Sequence, residues 1–153
     1  MEIKISDAER AENKRLIEEY PFLMPHNRWT DEIPENFNYE YTELDAMPDG
    51  WRKAFGEQMC KEIKNALEVV NILNKYRIMQ IKEKYGGLRW YDNFNTPTGY
   101  DIIHKYEKIS KRTCIQCGKP ATRITTGWIA PYCDECIDDA LEYSVPLDEY
   151  FDD

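Results

Sequence analysis

Between Trp51 and Tyr76 apolar side chains recur at Trp51, Phe55, Met59, Ile63, Leu67 and Val70, backed by Ala66 and Leu73. Steps of three to four residues keep one stripe of a helix apolar, so this segment predicts the main amphipathic helix. "MPDGW" precedes it and offers Asp49 as N-cap. Cys60 lies beside the stripe and reads as a buried structural thiol. A weaker helix is announced by Ser6-Asp7-Ala8-Glu9, which has capping-box spacing. It runs to about Glu19, because Pro21 and Pro25 cannot continue the ladder. Its apolar positions are Ala8, Ala11, Leu16 and Ile17, enough to dock one edge.

Strand-like alternation appears twice. "NFNYEYTEL" alternates Phe37, Tyr39 and Tyr41 with Asn38, Glu40 and Thr42, the pattern of a strand with one buried face. "YRIMQIKEKYGGLRWYDNF" predicts a hairpin turning at Gly86-Gly87, since both glycines accept positive φ. That turn pairs Tyr85 with Leu88, Lys84 with Arg89, Glu83 with Trp90 and Lys82 with Tyr91. Ile81, Tyr85, Leu88 and Trp90 then share an apolar face on which Glu83 fits poorly. Lys82, Lys84, Arg89 and Tyr91 share the other face. "NTPTG" reads as a loop, and "YDIIHKYEKISKR" as a helix with Ile102, Ile103, Tyr106 and Ile109 inward. The expected fold class is α+β: a small antiparallel sheet packed by helices, followed by a C-terminal metal module. Its parts are an acidic helix-and-strand extension (1–50), a helix-hairpin-helix core (51–111), the module (112–144) and an acidic, loosely held tail (145–153).

Composition sets the class of protein. The 153 residues are 42% hydrophobic and 13% aromatic, ample for one domain's core and unlike a disordered chain. "MEIKISDAER" lacks the basic head and apolar run of a signal peptide, and no segment approaches a membrane span. A bacterial host cytoplasm is the expected location, where paired cysteines serve more often as metal ligands than as disulfides. The net charge of −9 conceals three blocks. Residues 1–50 hold thirteen acids and five bases, residues 51–132 fifteen bases and seven acids, and residues 133–153 nine acids and no base. Such blocks either form a contact surface or neutralise one another in the fold.

Four of the five cysteines form "CIQCGKPATRITTGWIAPYCDEC", two C-x-x-C pairs separated by fifteen residues. Two such pairs complete a tetrahedral thiolate site for one structural Zn²⁺, with Cys114, Cys117, Cys133 and Cys136 as ligands. Gly118 suits the tight knuckle after the first pair. "ATRITTGWIAPY" folds back at Thr126-Gly127, and "CDECIDDALEYS" reads as a helix, which makes the module treble-clef-like; a ribbon is the close alternative. Four thiolates close the metal shell, whereas a catalytic zinc keeps an open position. One zinc and four thiolates together carry −2, trimming the basic block.

The run "QIKEKYGGLRWY", with "DGW" upstream and "SKRTCIQCGKP" and "GWIAPYCDEC" downstream, resembles an uncharacterised family of small bacterial and phage proteins. Their pattern is a K-E-K-[FY]-G-G-L-R-[FW]-Y hairpin, a helix, then S-x-R-T-C-x-x-C-G and a second ligand pair. The likeness covers about residues 50–136. In that family the last ligand is often histidine, where this chain has Cys136. The resemblance implies that hairpin and zinc module form one unit and suggests a phage or mobile-element setting; it implies no activity.

Three classes of function remain to be weighed. As a nucleic-acid binder, the chain would use Lys82, Lys84, Arg89 and Tyr91, extended by Lys111, Arg112, Lys119 and Arg123, to meet phosphates and stack on an unpaired base. As a protein-binding factor, it would present its acidic ends to a basic surface on a host protein, the reading the sequence slightly favours. An enzyme is the weakest class: no phosphate loop, G-x-S-x-G or H-E-x-x-H is present. His26 and His104 read as scaffolding, and neither a small-molecule substrate nor a membrane partner is indicated.

Overall fold

The first helix begins where its capping box places it. Ser6 Oγ accepts from the Glu9 backbone N–H at 3.0 Å, and the Glu9 carboxylate accepts from the Ser6 N–H at 3.5 Å. This opens α1 (Asp7–Glu19). The structure, a computed structural model, describes residues 4–151. One edge of α1 docks through buried Ile17 and half-buried Leu16. On its outer side Arg15 reaches Glu57 at 2.9 Å while also bonding Glu12 and Glu19. Pro21 ends the helix, and a 3-10 turn at Pro21–Leu23 buries Phe22 and Leu23.

The alternating segment 37–42 does not form the expected strand. Asn36 and Tyr39 adopt φ of 57° and 58°, which breaks any extended run. Its carbonyls are taken by α1 instead: Asn13 donates to Tyr39 O at 2.9 Å, and Arg10 donates to Asn38 O. Phe37 meets Tyr39 and Tyr41 edge-on, at centroid distances of 5.6 and 5.7 Å. Local ring packing and side-chain hydrogen bonds satisfy this stretch without strand pairing. Thr42 then caps a 3-10 turn, Glu43–Ala46.

The main helix has three parts: α2 (Asp49–Trp51), a π-helical segment Arg52–Gly56, and α3 (Glu57–Val69). Trp51, Phe55, Met59, Ile63 and Leu67 are all buried. A constant four-residue step overshoots a full α-turn by about 40° each time, so the stripe would drift around a regular helix. The wider π turn absorbs part of that drift. Pro48 occupies the N-cap, and Asp49 is already helical, its carboxylate accepting from Arg52 at 2.9 Å. The helix stops at Val69, not near Tyr76. Val70 is exposed and Asn71 turns to φ 58°.

Strands β1 (Ile78–Lys84) and β2 (Gly87–Asp92) form the hairpin. Ile81 lies opposite Trp90, Lys82 opposite Arg89, Glu83 opposite Leu88 and Lys84 opposite Gly87. The turn is Tyr85-Gly86, at φ 54° and 79°, one residue ahead of the glycine pair. Moving the turn by one residue shifts each pairing by two, and an even shift preserves the faces. Lys82, Arg89, Lys84 and Tyr91 therefore still share one side. Tyr85 leaves the apolar face and is 71% exposed. Glu83 accepts the Gly86 N–H at 3.4 Å, which accounts for an acid beside Leu88.

Helix α4 (Pro97–Ser110) begins inside the stretch read as a loop. Thr96 Oγ1 accepts from the Gly99 N–H at 3.0 Å, and Pro97 fills the first helical position. Ile103 and Tyr106 are buried and Ile102 packs against the core, but Ile109 is 40% exposed. Ser110 takes the inward place there.

The C-terminal part holds a three-stranded antiparallel sheet in the order β4 (Pro131–Tyr132), β3 (Arg123–Thr125), β5 (Ser144–Pro146). Chain reversal between β3 and β4 occupies residues 126–130, as the sequence indicates. No α-helix carries the second cysteine pair; a 3-10 helix, Asp138–Tyr143, follows it. Two knuckles on a small sheet match the ribbon-like alternative rather than the treble-clef order. The described part of the acidic tail, residues 145–151, is docked, not loose. β5 pairs with β3, Leu147 in α5 (Leu147–Tyr150) is buried, and Phe151 lies against Arg112. The whole is a mixed fold of helices and small antiparallel sheets ending in a four-cysteine module.

Candidate metal centre

Each cysteine pair sits on its own backbone knuckle. In the first, the Gly118 N–H returns to Cys114 O at 3.0 Å, with Gly118 at φ 87°. In the second, the N–H groups of Cys136 and Ile137 both point to Cys133 O, at 3.2 and 3.1 Å. The knuckles are tied together by Ile115 N–H donating to Pro131 O at 3.0 Å. Cys114, Cys117, Cys133 and Cys136 consequently place their sulfurs within 4.8 Å of one another, with Cys117 and Cys133 at 3.5 Å. None of the four is in a disulfide.

These distances fit a single ion. Metal–sulfur bonds of about 2.3 Å in a tetrahedron put neighbouring sulfurs about 3.8 Å apart. The donor set is all sulfur, which suits a thiophilic metal and leaves no protein-side vacancy. Cys114 and Cys133 are buried, while Cys117 and Cys136 are half-buried at the rim. Cys60, by contrast, is fully buried in the main core, and burial pushes its thiol pKa far up. It behaves as the packing residue the sequence indicates.

The module is joined to the core through the first knuckle. Gly50 N–H donates to Ile115 O at 2.9 Å, and Trp51 Nε1 donates to Thr113 O at 3.0 Å. A Cβ on Gly50 would lie 2.6 Å from the Ile115 carbonyl carbon, and one on Gly118 would lie 2.6 Å from Gly50 O. Thr113 Oγ1 donates to Ile109 O at 2.7 Å. Ser110 Oγ accepts from the Leu88 N–H at 2.8 Å and donates to Glu107 O at 2.6 Å. Gly50, Trp51 and Thr113 thus build the seam, and Ser110 ties the end of α4 to β2 beside it. They stand in the "DGW" and "SKRT" stretches, but no spacing rule assigns them this task.

The basic residues divide into two groups. Arg112 packs its guanidinium on the Phe151 ring and lies 3.7 Å from Asp148; Lys119 pairs with Glu135 at 2.9 Å; Arg123 donates to the Ser144 hydroxyl and carbonyl at 2.7 and 3.0 Å. All three hold the module together. Among the described residues, Lys82, Lys84, Arg89 and Lys111 have no carboxylate within ion-pair distance. Lys82 Nζ lies 5.7 Å from the Tyr91 ring centre. Lys111 and Arg89 both approach Gly87, whose missing side chain opens the space between them. The acidic N-terminal block is partly spent on other bases, through Asp45 and Asp49 with Arg52 and Asp31 with Arg77.

The histidines lie apart from the sulfurs. His26 is nearly buried, its Nδ1 3.0 Å from Met24 O and its Nε2 3.9 Å from Asp31. His104 is exposed on α4. Among the described residues, no helix is long and apolar enough to cross a membrane. Compared with family models, curated proteins and solved structures, the chain matches none.

Proposed function

We propose that this protein is a non-catalytic, zinc-stabilised binding module whose partner is a nucleic acid, met by the cationic face of the β1–β2 hairpin. The observation that carries the reading is the division among its bases. Among the described residues, half of the bases outside this group hold an ion pair, among them Arg52, Arg77, Arg112 and Lys119, whereas Lys82, Lys84, Arg89 and Lys111 stand together on and beside one hairpin face with no carboxylate partner among them. Phosphates supply the missing counter-charge, and Tyr91 adds an aromatic surface at the same place. The setting suggested by the sequence resemblance, a phage or mobile element acting in a bacterial cytoplasm, belongs to this reading. Titration of labelled single-stranded DNA, duplex DNA and RNA tests it. Binding should weaken steeply with salt and be lost in the folded Lys82→Glu/Lys84→Glu/Arg89→Glu variant. Binding unchanged in that variant, or absent at low salt, overturns it.

A second reading is a protein partner, engaged from the acidic N-terminal block. One observation favours it: Trp29 is 89% exposed at the tip of a turn fixed by Asn27, whose side chain accepts the Trp29 and Thr30 N–H groups at 2.8 and 3.0 Å. A rigidly presented tryptophan is a common anchor of protein interfaces. Pull-down from a host lysate with wild type and Trp29→Ala separates this reading from the first.

A further inference from the structure

The hairpin turn and the β3–β4 loop of the metal module meet, and a groove runs between them. Gly86 lies against this loop so closely that a Cβ there would come within 3.0 Å of Ile129 Cγ2. Beside that contact, Glu83, Lys84, Tyr85, Gly127, Trp128 and Ile129 line an open groove of about 370 Å³. Its walls carry two of the most exposed large side chains described, Tyr85 at 71% and Trp128 at 82%.

We propose that this groove holds unpaired bases of a single-stranded nucleic acid, with Tyr85 and Trp128 as stacking surfaces and Lys84 as the phosphate contact. The inference rests on the nucleic-acid reading above and adds a preference for single strands.

Three observations support this occupant. Aromatic faces exposed to solvent gain most from a flat, apolar partner, and every base offers one; base–aromatic stacking is tolerant of sequence. Charge continuity comes from Lys84, which lines the groove and belongs to the unpaired cationic face, its Nζ 5.7 Å from the Tyr85 ring centre. A strand following Lys82, Arg89 and Lys111 therefore reaches the two rings by way of Lys84. Glu83, the one carboxylate in the lining, is turned to the Gly86 N–H. The rings are also held by fixed backbone. Tyr85 stands in the hairpin turn, and Trp128 O accepts from Thr125 Oγ1, which ties down its loop. A duplex keeps its bases stacked within itself and offers these rings nothing.

The test uses the metal-loaded full chain. Fluorescence anisotropy is followed for a labelled single-stranded oligonucleotide and for its duplex, with wild type, Tyr85→Asn, Trp128→Ala, Tyr85→Phe and Trp128→Phe. Asparagine tolerates the positive φ of residue 85, so the turn is kept while the ring is lost. The inference expects wild type to favour the single strand. Tyr85→Asn and Trp128→Ala should each lose about tenfold or more in single-strand affinity, within the roughly 5- to 150-fold expected per stacked base. Duplex binding should be unchanged and both phenylalanine variants close to wild type. Single-strand affinity unchanged in Tyr85→Asn and Trp128→Ala, or duplex binding at least as tight in wild type, overturns the groove while leaving the cationic face standing. No binding of either nucleic acid overturns both, as does capture of a protein partner alone.

Discussion

The backbone N–H of Gly50 donates to the carbonyl of Ile115 at 2.9 Å, so the first turn of the main helix is bolted to the first cysteine knuckle. Substituting this glycine tests the joint. In Gly50→Ala the new methyl would lie 2.6 Å from the Ile115 carbonyl carbon, and backbone cannot step aside as a flexible side chain would. The expected cost is about 3 kcal/mol in urea unfolding, with weaker metal retention in a competition assay.

Removing the metal should affect much more than four side chains. Metal binding to such a module is folding free energy on the order of 10 kcal/mol. Native mass spectrometry is expected to show one zinc per chain. Chelation should abolish the near-ultraviolet signal of the tyrosines around the module and lower the main melting transition, because Trp51 loses its acceptor Thr113. A folded, metal-free chain with an unchanged melt would refute the centre.

Ser110 is buried and is the acceptor for the Leu88 N–H. Ser110→Ala leaves that donor in the core without a partner, at a cost of about 1–3 kcal/mol. Amide exchange at Leu88 should quicken more than at Lys82, which keeps its cross-strand pairing with Arg89. Equal protection in both proteins would contradict this.

The Arg15–Glu57 bridge predicts an acid-sensitive dock for α1. Hydrogen bonding to Arg15 holds the Glu57 carboxyl below its ordinary value of 4.5, with burial opposing and the Tyr20 hydroxyl assisting. A carboxylate depressed in the folded state stabilises fully above its unfolded pKa, and that contribution fades as pH falls through the folded value. Glu57→Gln should therefore be less stable than wild type at neutral pH, the difference closing as pH drops below 4.5. A difference that stays constant with pH would show that the bridge contributes nothing through charge.

The elements written in local chemistry were legible from the chain. The Ser6–Glu9 capping box and the apolar stripe from Trp51 to Leu67 depend on residues close in sequence and stand as read, and the four cysteines come together closely enough to hold one metal ion. The hairpin's faces also survive, because moving the turn from Gly86-Gly87 to Tyr85-Gly86 changes register by an even number. What failed depended on distant partners. Alternation at Phe37–Thr42 resembles a strand, but α1 supplies Asn13 and Arg10 to its carbonyls, and the segment joins neither sheet. Ile109 looked inward by spacing, yet Ser110 is needed there to receive Leu88. The seam residues were visible as quoted motifs, but their purpose follows from contacts spanning sixty residues of chain, such as Trp51 with Thr113.

The touch between Gly86 and Ile129 joins two walls with different origins. One wall is a hairpin that its own strand pairing maintains; the other is a loop of the four-cysteine module, whose fold in the proposed function would depend on the metal. In the proposed function, the surface would therefore be a coincidence detector. It is complete only in molecules that have both folded their hairpin and captured their ion, so scarcity of zinc in the surrounding cell would thin the population of competent binders before any change in protein abundance.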